Sequence, residues 1–317
     1  MNKFDITVVM AIYKPNLEWL KEELISIQKQ TYRNFQVFAW NDCPDDKTDY
    51  NLLFKQYLLD IPFKIFNGTE NLGSNGAFEN LTRKVDTPYI AYCDQDDIWM
   101  PDKLEKLYSL FDTPDITLAY SDMKVINEKS EVVAQCIHEV RPRQVFYERE
   151  EALPHLLAKN FVTGCTMMVR NDIAQQAVPF PKTVFHDWWL AVCAAIKGNI
   201  VIASKPLMKY RIYSGNQSAV LKGVADKKSY YMIRIKQHKN FIDYAYKIFP
   251  NNNNVVLARR WNHAREKYFF YHHFSDLIKI FSMREYNRSI VLLEILLPFI
   301  PEGVFRKIIA LVRNGKI

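Results

Sequence analysis

In Tyr89-Ile90-Ala91-Tyr92-Cys93-Asp94-Gln95-Asp96-Asp97-Ile98-Trp99 a short apolar run ends abruptly in three carboxylates. The apolar run reads as a buried strand, and acids at its carboxyl end stand where open α/β sheets collect their ligands. Side chains alternate along an extended chain, so Asp94 and Asp96 are expected on one side, converging on one ligand, with Asp97 pointing elsewhere. Oxygen ligands of this kind favour Mg²⁺ or Mn²⁺, which share their coordination with substrate phosphates. The plainer reading is a solvated acidic loop that caps the next helix. An EF-hand loop fails, because its sixth position is Trp99 where glycine is needed and Pro101 follows. Pro101 instead predicts a helix over about 101–111, with Leu104, Leu107, Tyr108 and Phe111 on one face.

Outward from this stretch, the first half alternates apolar strands with amphipathic helices. Ile6-Thr7-Val8-Val9-Met10-Ala11-Ile12 predicts the first strand, and Leu17, Leu20, Leu24 and Ile27 form a helical face. Phe35 to Trp40, Phe63 to Phe66 and Tyr89 to Cys93 read as further strands, and Gly76 to Val85 as a helix. The rhythm predicts an α/β fold with a mixed, mainly parallel central sheet flanked by helices. Tyr13 and Lys14 follow the first strand, Asn41 and Asp42 the second, and the aspartates the fourth. After about residue 115, strands with longer connections (Leu118 to Tyr120, Thr166 to Val169, Asn199 to Ala203) are expected to wall a second substrate.

From about residue 225 the pattern is helical, aromatic and basic, with a run from Val255 to Leu297 lacking strong breakers. Two regions are expected: a catalytic domain over 1–220 and a C-terminal helical appendage over 221–317 that associates with a membrane or with another copy. Ile290 to Ile300 is interrupted by Glu294 and Pro298 and is too short for a bilayer span of about 20 apolar residues. Val304, Ile308, Leu311 and Val312 share a side, with Arg306, Lys307 and Arg313 around the rest, which suits an interfacial helix on anionic lipid or a helix packed on its own domain.

With 49% hydrophobic and 24% charged residues over 317, the chain can bury a large core. Only nine glycines occur, without a G-x-G-x-x-G or G-x-x-x-x-G-K pattern, which argues against dinucleotide oxidoreductases and P-loop enzymes. A net charge of +7 suits phosphate substrates, acidic lipid or nucleic acid, but no nucleic-acid motif is present. Five scattered cysteines without a C-x-x-C pair argue against a disulfide framework and a zinc site, and a reducing cytoplasm is expected. The first residues show no signal-peptide pattern.

Taken in order, Val8-Val9-Met10-Ala11-Ile12-Tyr13-Lys14-Pro15-Asn16, Gln30-Thr31-Tyr32, Asn41-Asp42, Asn71-Leu72-Gly73, the aspartate motif and His186-Asp187-Trp188-Trp189 resemble a bacterial family 2 glycosyltransferase over roughly residues 5–217. The pairing of C-D-Q-D-D-I-W with H-D-W-W is similar to rhamnosyltransferase-like members that build capsule, O-antigen or wall polysaccharide. The resemblance implies a GT-A fold, a nucleotide-diphosphate sugar donor (thymidine-diphosphate rhamnose first, uridine-diphosphate sugars next), inversion at the anomeric carbon, and a glycan or lipid-linked oligosaccharide acceptor.

By the same resemblance, Ala11 and Tyr13 flank the base and Asp42 accepts from the pyrimidine ring N–H, as an acceptor-only carboxylate can. Asn71 and Gly73 form the loop near the diphosphate. Asp94 touches the ribose and joins Asp96 at the metal, which acts as Lewis acid on the leaving diphosphate. Asp187 is the base that primes the acceptor hydroxyl, or an N-cap for a helix over Trp188 to Lys197. Thr163, Gly164, His186, Trp188 and Trp189 fall on the acceptor side. One departure is Tyr210-Arg211-Ile212-Tyr213-Ser214-Gly215-Asn216, where related proteins often have histidine at the place of Tyr213; the metal is then expected to be held by fewer protein groups, bound weakly without donor, or aided by Arg211 facing the diphosphate. Two rival readings remain: a nucleotidyltransferase, which would release pyrophosphate and normally carries a glycine- and basic-rich loop after the first strand, and a non-catalytic membrane scaffold with a degenerate sugar-nucleotide pocket.

Overall fold

The run Ile6–Ile12 is apolar on both sides of the chain because its strand is covered on both faces, as the central strands of parallel sheets are. The computed structural model describes residues 4–213 and 221–313. Two compact units form, one from residues 1–152 with 161–213, the other from 153–160 with 214–317. The segment Leu153–Asn160, inside the N-terminal region by sequence, thus belongs to the second unit.

The first unit runs β1 (Ile6–Ile12), α1 (Leu17–Gln28), β2 (Phe35–Asn41), α2 (Tyr50–Tyr57), β3 (Phe63–Asn67), α3 (Gly73–Lys84), β4 (Tyr89–Cys93), β5 (Ile98–Trp99), α4 (Lys103–Ser109), β6 (Ile116–Tyr120), β7 (Lys124–Ile126) and β8 (Val132–Ala134). After α5 (Ala152–Ala158) come β9 (Met167–Arg170), α6 (Asn171–Gln176), α7 (His186–Lys197), β10 (Asn199–Ile202) and β11 (Met208–Arg211). The main sheet has the order β10-β6-β9-β4-β1-β2-β3. β1, β2, β3 and β4 are parallel, and β9 lies antiparallel between β4 and β6. Succession from β1 runs outward through β2 and β3, while β4 lies on its other side, so the crevice between the carboxyl ends of β1 and β4 is the switch point where such sheets bind ligands. A smaller sheet, β5-β11-β7-β8, follows the aspartate stretch.

Local chemistry explains the ends of the helices. Asn16 starts α1 by accepting from the amides of Glu18 and Trp19, and Leu20, Leu24 and Ile27 are fully buried while Leu17 stays exposed. α4 begins at Lys103 rather than at Pro101, since 101–102 form a turn. In the second unit, α8 (Lys227–Tyr230), a π-helical turn over Tyr231–Lys236, α9 (Gln237–Ile248), α10 (Asn253–Tyr271), α11 (Phe274–Phe281), α12 (Arg288–Leu296) and α13 (Glu302–Arg313) pack around an ion pair. Glu294, the acid that interrupts the apolar run of α12, takes two hydrogen bonds from the buried Arg265, at 2.7 and 2.6 Å, and one from Tyr230 at 2.9 Å. The run expected from Val255 to Leu297 breaks at His272, which ends α10 in the left-handed conformation, a break that neither Gly nor Pro announces. No described helix is long and apolar enough to cross a membrane.

Glu23 of α1 is fully buried and accepts from the Cys93 thiol at 3.2 Å. Burial pushes its carboxyl up to about 8, opposed in part by Lys103. Between the ordinary value of 4.5 and about 8 the folded protein keeps a proton that the unfolded chain has lost, so stability falls as pH rises through that window. Glu23→Gln is therefore expected to flatten the decline of the thermal midpoint from mildly acidic to mildly alkaline pH, by several degrees at roughly 2–4 °C per kcal/mol. Melting curves that decline in parallel with those of the unsubstituted protein would contradict this.

Candidate active site

β4 ends at Cys93, and the chain bends at Gln95 and Asp96 instead of continuing extended. Strand alternation no longer applies there, which corrects the expected arrangement of the aspartates. Asp94, Asp97 and Cys165 bring ligand atoms within 4.8 Å of one another, while Asp96 turns to Tyr213, whose hydroxyl donates to Oδ2 at 2.7 Å. Between them Gln95 pairs with the backbone of Tyr13, accepting from its N–H at 2.8 Å and donating to its carbonyl at 3.1 Å. The carboxyl ends of β1 and β4 are thereby tied together. Tyr13 is exposed and Ala11 half-buried beside this edge.

Arg211 does not face an open pocket, as its guanidinium is fully buried. It donates to the Asp96 carbonyl at 2.8 Å, the Asn127 carbonyl at 3.1 Å, the Ser130 hydroxyl at 2.9 Å and the Glu22 carboxylate at 2.5 Å, and its backbone N–H donates to Asp97. The expectation that it reaches the diphosphate is corrected: it anchors the aspartate loop from beneath. Of the motif it opens, Ser214 to Asn216 lie outside the described residues.

Asp42 is also buried, and its two carboxylate oxygens accept from the amides of Leu72 at 3.0 Å and Gly73 at 2.8 Å. It holds the turn that begins α3, three residues earlier than expected. Gly73 has φ +69°, a conformation that favours glycine, and Asn71 also accepts from its N–H. In this geometry Asp42 acts through the Asn71–Gly73 loop rather than presenting a free carboxylate.

Asp187 lies in the first turn of α7, which starts at His186, so Phe185 and not Asp187 is the cap. Asp187 accepts from Gly164 N–H at 3.1 Å and Trp188 N–H at 2.6 Å. Gly164 is required here, because a Cβ would lie 2.8 Å from His186 Nε2. Thr163 accepts from the amide and hydroxyl of Thr166, which shapes the same turn. His186 is 5% exposed among Phe78, Tyr92 and Phe180, and neither ring nitrogen has a hydrogen-bond partner. Burial lowers its pKa to about 3, so the imidazole is neutral at physiological pH. Trp189 packs in the core with its indole N–H on Ala177, leaving Trp188, half-buried, as the ring nearer the surface.

Several residues that hold the site escaped the sequence reading. Asn75 donates to the carbonyls of Pro181 and Val184 and accepts from His186 N–H, which fastens the entry of α7 to α3. Lys103 is buried under the aspartates, donating to the Cys165 carbonyl with its ammonium 3.6 Å from the centre of the Trp99 ring. Its signal was present: it stands four residues before Leu107 on the apolar face of α4.

The acids crowd one another. Burial, then the charges of Asp96 and Asp187, raise Asp94 to about 7, so these three side chains are close enough for their charges to interact. Asp96 is raised by burial against the opposing Tyr213 hydrogen bond, and Asp97, with Oδ2 buried and unpaired, is raised well above the carboxylate range. A group of buried carboxylates whose negative forms are disfavoured by each other fits a divalent cation, whose charge would reverse that penalty. Asp94 and Asp96 are half-buried, whereas Asp97 is fully buried.

Three kinds of comparison bear on this geometry. Solved structures under 25% identity share the fold: residues 1–349 of TarS from S. aureus in complex with UDP-GlcNAc (TM-score 0.60, 13% identity, 99% of this chain and 90% of that one) and the mannosyltransferase PcManGT from Pyrobaculum calidifontis with GDP-Man and Mn²⁺ (TM-score 0.53, 13% identity, 99% and 80%). The architecture is therefore GT-A. Among curated proteins, an uncharacterized glycosyltransferase of Methanocaldococcus jannaschii is 27% identical, covering 78% of this chain and 86% of its own length. The Escherichia coli UDP-Glc:alpha-D-GlcNAc-diphosphoundecaprenol beta-1,3-glucosyltransferase WfgD is 25% identical over 70% of this chain and 84% of its own length. Residues 7–177, more than half of the chain, match the sequence profile of glycosyl transferase family 2, and the chain belongs to that family.

Proposed function

We propose that this glycosyltransferase inverts the anomeric centre as it moves a hexose from a uridine-diphosphate donor to a hydroxyl of a lipid-linked glycan precursor at the cytoplasmic membrane face. The observation that carries the reading is that Asp94, just after β4, feels the charges both of Asp96 in its own loop and of Asp187 in the first turn of α7, a distant part of the chain. Donor-side roles fall to Ala11 and Tyr13 beside the base, to the Asn71–Gly73 loop braced by Asp42, and to Asp94 at the ribose. Asp94 and Asp96 would hold Mg²⁺ or Mn²⁺, which supplies Lewis-acid stabilisation to the leaving diphosphate.

Asp187 is proposed to take the proton of the acceptor hydroxyl. Its hydrogen bonds from Gly164 N–H and Trp188 N–H hold the carboxylate in a fixed orientation. Gly164, Thr163 and Trp188 would form the acceptor side, Trp188 offering a ring face to a sugar. Neutral His186 supports this wall by packing, and Trp189 supports it from the core.

For the transferred sugar, the C-D-Q-D-D-I-W and H-D-W-W pairing suggests rhamnose, whereas the glucosyl relative, matched over most of its length, favours a uridine-diphosphate hexose. We take the latter. A panel of UDP-glucose, UDP-GlcNAc, thymidine-diphosphate rhamnose and GDP-mannose, each with Mn²⁺, distinguishes them by thermal shift, since ligand at about 100 times its Kd stabilises by about 2.7 kcal/mol. A UDP-hexose is expected to give the largest metal-dependent shift. The largest shift with thymidine-diphosphate rhamnose would transfer the proposal to rhamnose, and no metal-dependent shift at all would overturn it.

Asp187→Asn is expected to lower turnover by about 10²- to 10⁴-fold while donor binding persists. Near-normal turnover in that variant would exclude Asp187 as the base.

A further inference from the structure

The second unit concentrates the positive charge of the chain. Residues 214–317 hold 18 Lys and Arg against 7 Asp and Glu, a formal +11, so the rest of a chain of net +7 is acidic by 4. Within that unit the end of α10 and all of α11 present large apolar side chains to solvent: Phe270, Tyr271, Phe274, Ile278 and Phe281 are 51%, 68%, 73%, 56% and 44% exposed. Phe274, Ile278 and Phe281 follow the i, i+4, i+7 spacing of one helical face, while Ile280 and Asp276 on the other side are buried. Both faces of α11 are thus apolar in large part, and its own unit covers only one.

The apolar side expected of the terminal helix is not its buried one: Val304 and Leu311 are exposed and Ile308 is half-buried. Phe305 and Ile309 of α13 are buried with Val224, Tyr230 and Ile235 in the core of the unit, which makes α13 chiefly a packed element.

The exposed charges around the aromatic face are almost all of one sign. Lys267, Lys279, Arg284 and Arg288 are exposed against a single exposed acid, Glu285, between 267 and 288. The Arg284 guanidinium lies 4.5 Å from the Phe281 ring centre, and Lys279 pairs with Asp276 with its side chain still 56% exposed. A second copy docking on this face through a twofold axis would bring like charges together. Anionic headgroups would instead neutralise them while the rings enter the headgroup boundary, where aromatic residues are favoured.

We propose that the exposed face of α11 formed by Phe274, Ile278 and Phe281, with Lys279 and Arg284 beside it, is a docking surface for an anionic bilayer. It lies wholly in the second unit and is independent of the donor and acceptor reading, because it is measured without substrate. The test is flotation of the full chain with vesicles of phosphatidylglycerol and phosphatidylethanolamine, and with vesicles of phosphatidylcholine alone. Binding is expected to the anionic vesicles only, to weaken with salt, and to fall by about tenfold or more in Phe274→Ser/Ile278→Ser/Phe281→Ser, at several hundred calories per buried methylene. Lys279→Glu/Arg284→Glu, which leaves the apolar stripe intact, is expected to lose at least severalfold, at roughly 1 kcal/mol for each basic residue. Absence of wild-type flotation, equal binding to phosphatidylcholine, or undiminished binding of either variant would overturn the proposal. So would sedimentation showing a stable dimer that the triple serine variant dissolves, since the face would then belong to a second copy.

Discussion

Too many acids share the carboxyl end of β4 for all of them to be ionised without help. The charges of Asp94 and Asp96 bear on Glu23 and Asp97 there, those of Asp96 and Asp187 bear on Asp94, and the chain places two buried basic side chains against them, Arg211 and Lys103. Each cation has a defined task. Arg211 grips the loop backbone and the Glu22 carboxylate, and Lys103 sits beneath it on the Cys165 carbonyl. Buried charges of this kind stabilise only when their hydrogen bonds are met, so the loop geometry and the protein charges are fixed together. The remaining negative charge is what a divalent cation would offset.

Everything around that constraint serves to bring two acid groups from distant parts of the chain to one place. Gln95 ties β4 to β1, Asp42 ties β2 to the turn before α3, and Asn75 ties α3 to the entry of α7, which carries Asp187. Gly164 then allows His186 and Asp187 to approach the turn ahead of β9. Sheet order supplies the rest, because β9 inserts between β4 and β6 and so sets that turn beside the aspartates.

Much of this was legible in the residues. The continuous apolar runs of β1 and β4 and the alternation of strand and helix specify a sheet covered on both faces, and the acids after Cys93 and the His186-Asp187-Trp188-Trp189 group are the residues on which the proposed chemistry rests. Side-chain direction was not legible. The period-two rule fails at Asp94 because the strand ends there, and the arginine that reads as a diphosphate ligand proves to be consumed by loop carbonyls. Residue types likewise announced neither the end of α10 at His272, whose turn carries no helix-breaking residue, nor the place of Leu153–Asn160 in the helical unit rather than with the sheet. A buried Lys103 reads as an ordinary surface lysine until its position on the apolar side of α4 is considered.

The central claim is that the Asp94 and Asp96 carboxylates would hold a divalent cation close to the Asp187 carboxylate. Crystals grown with Mn²⁺ and uridine diphosphate test it through the anomalous scattering of the ion. The account predicts a peak held by those two side chains and the nucleotide phosphates, with the Asp187 carboxylate close by; a peak held by other residues, or a nucleotide bound away from β4 with no ion, would contradict it.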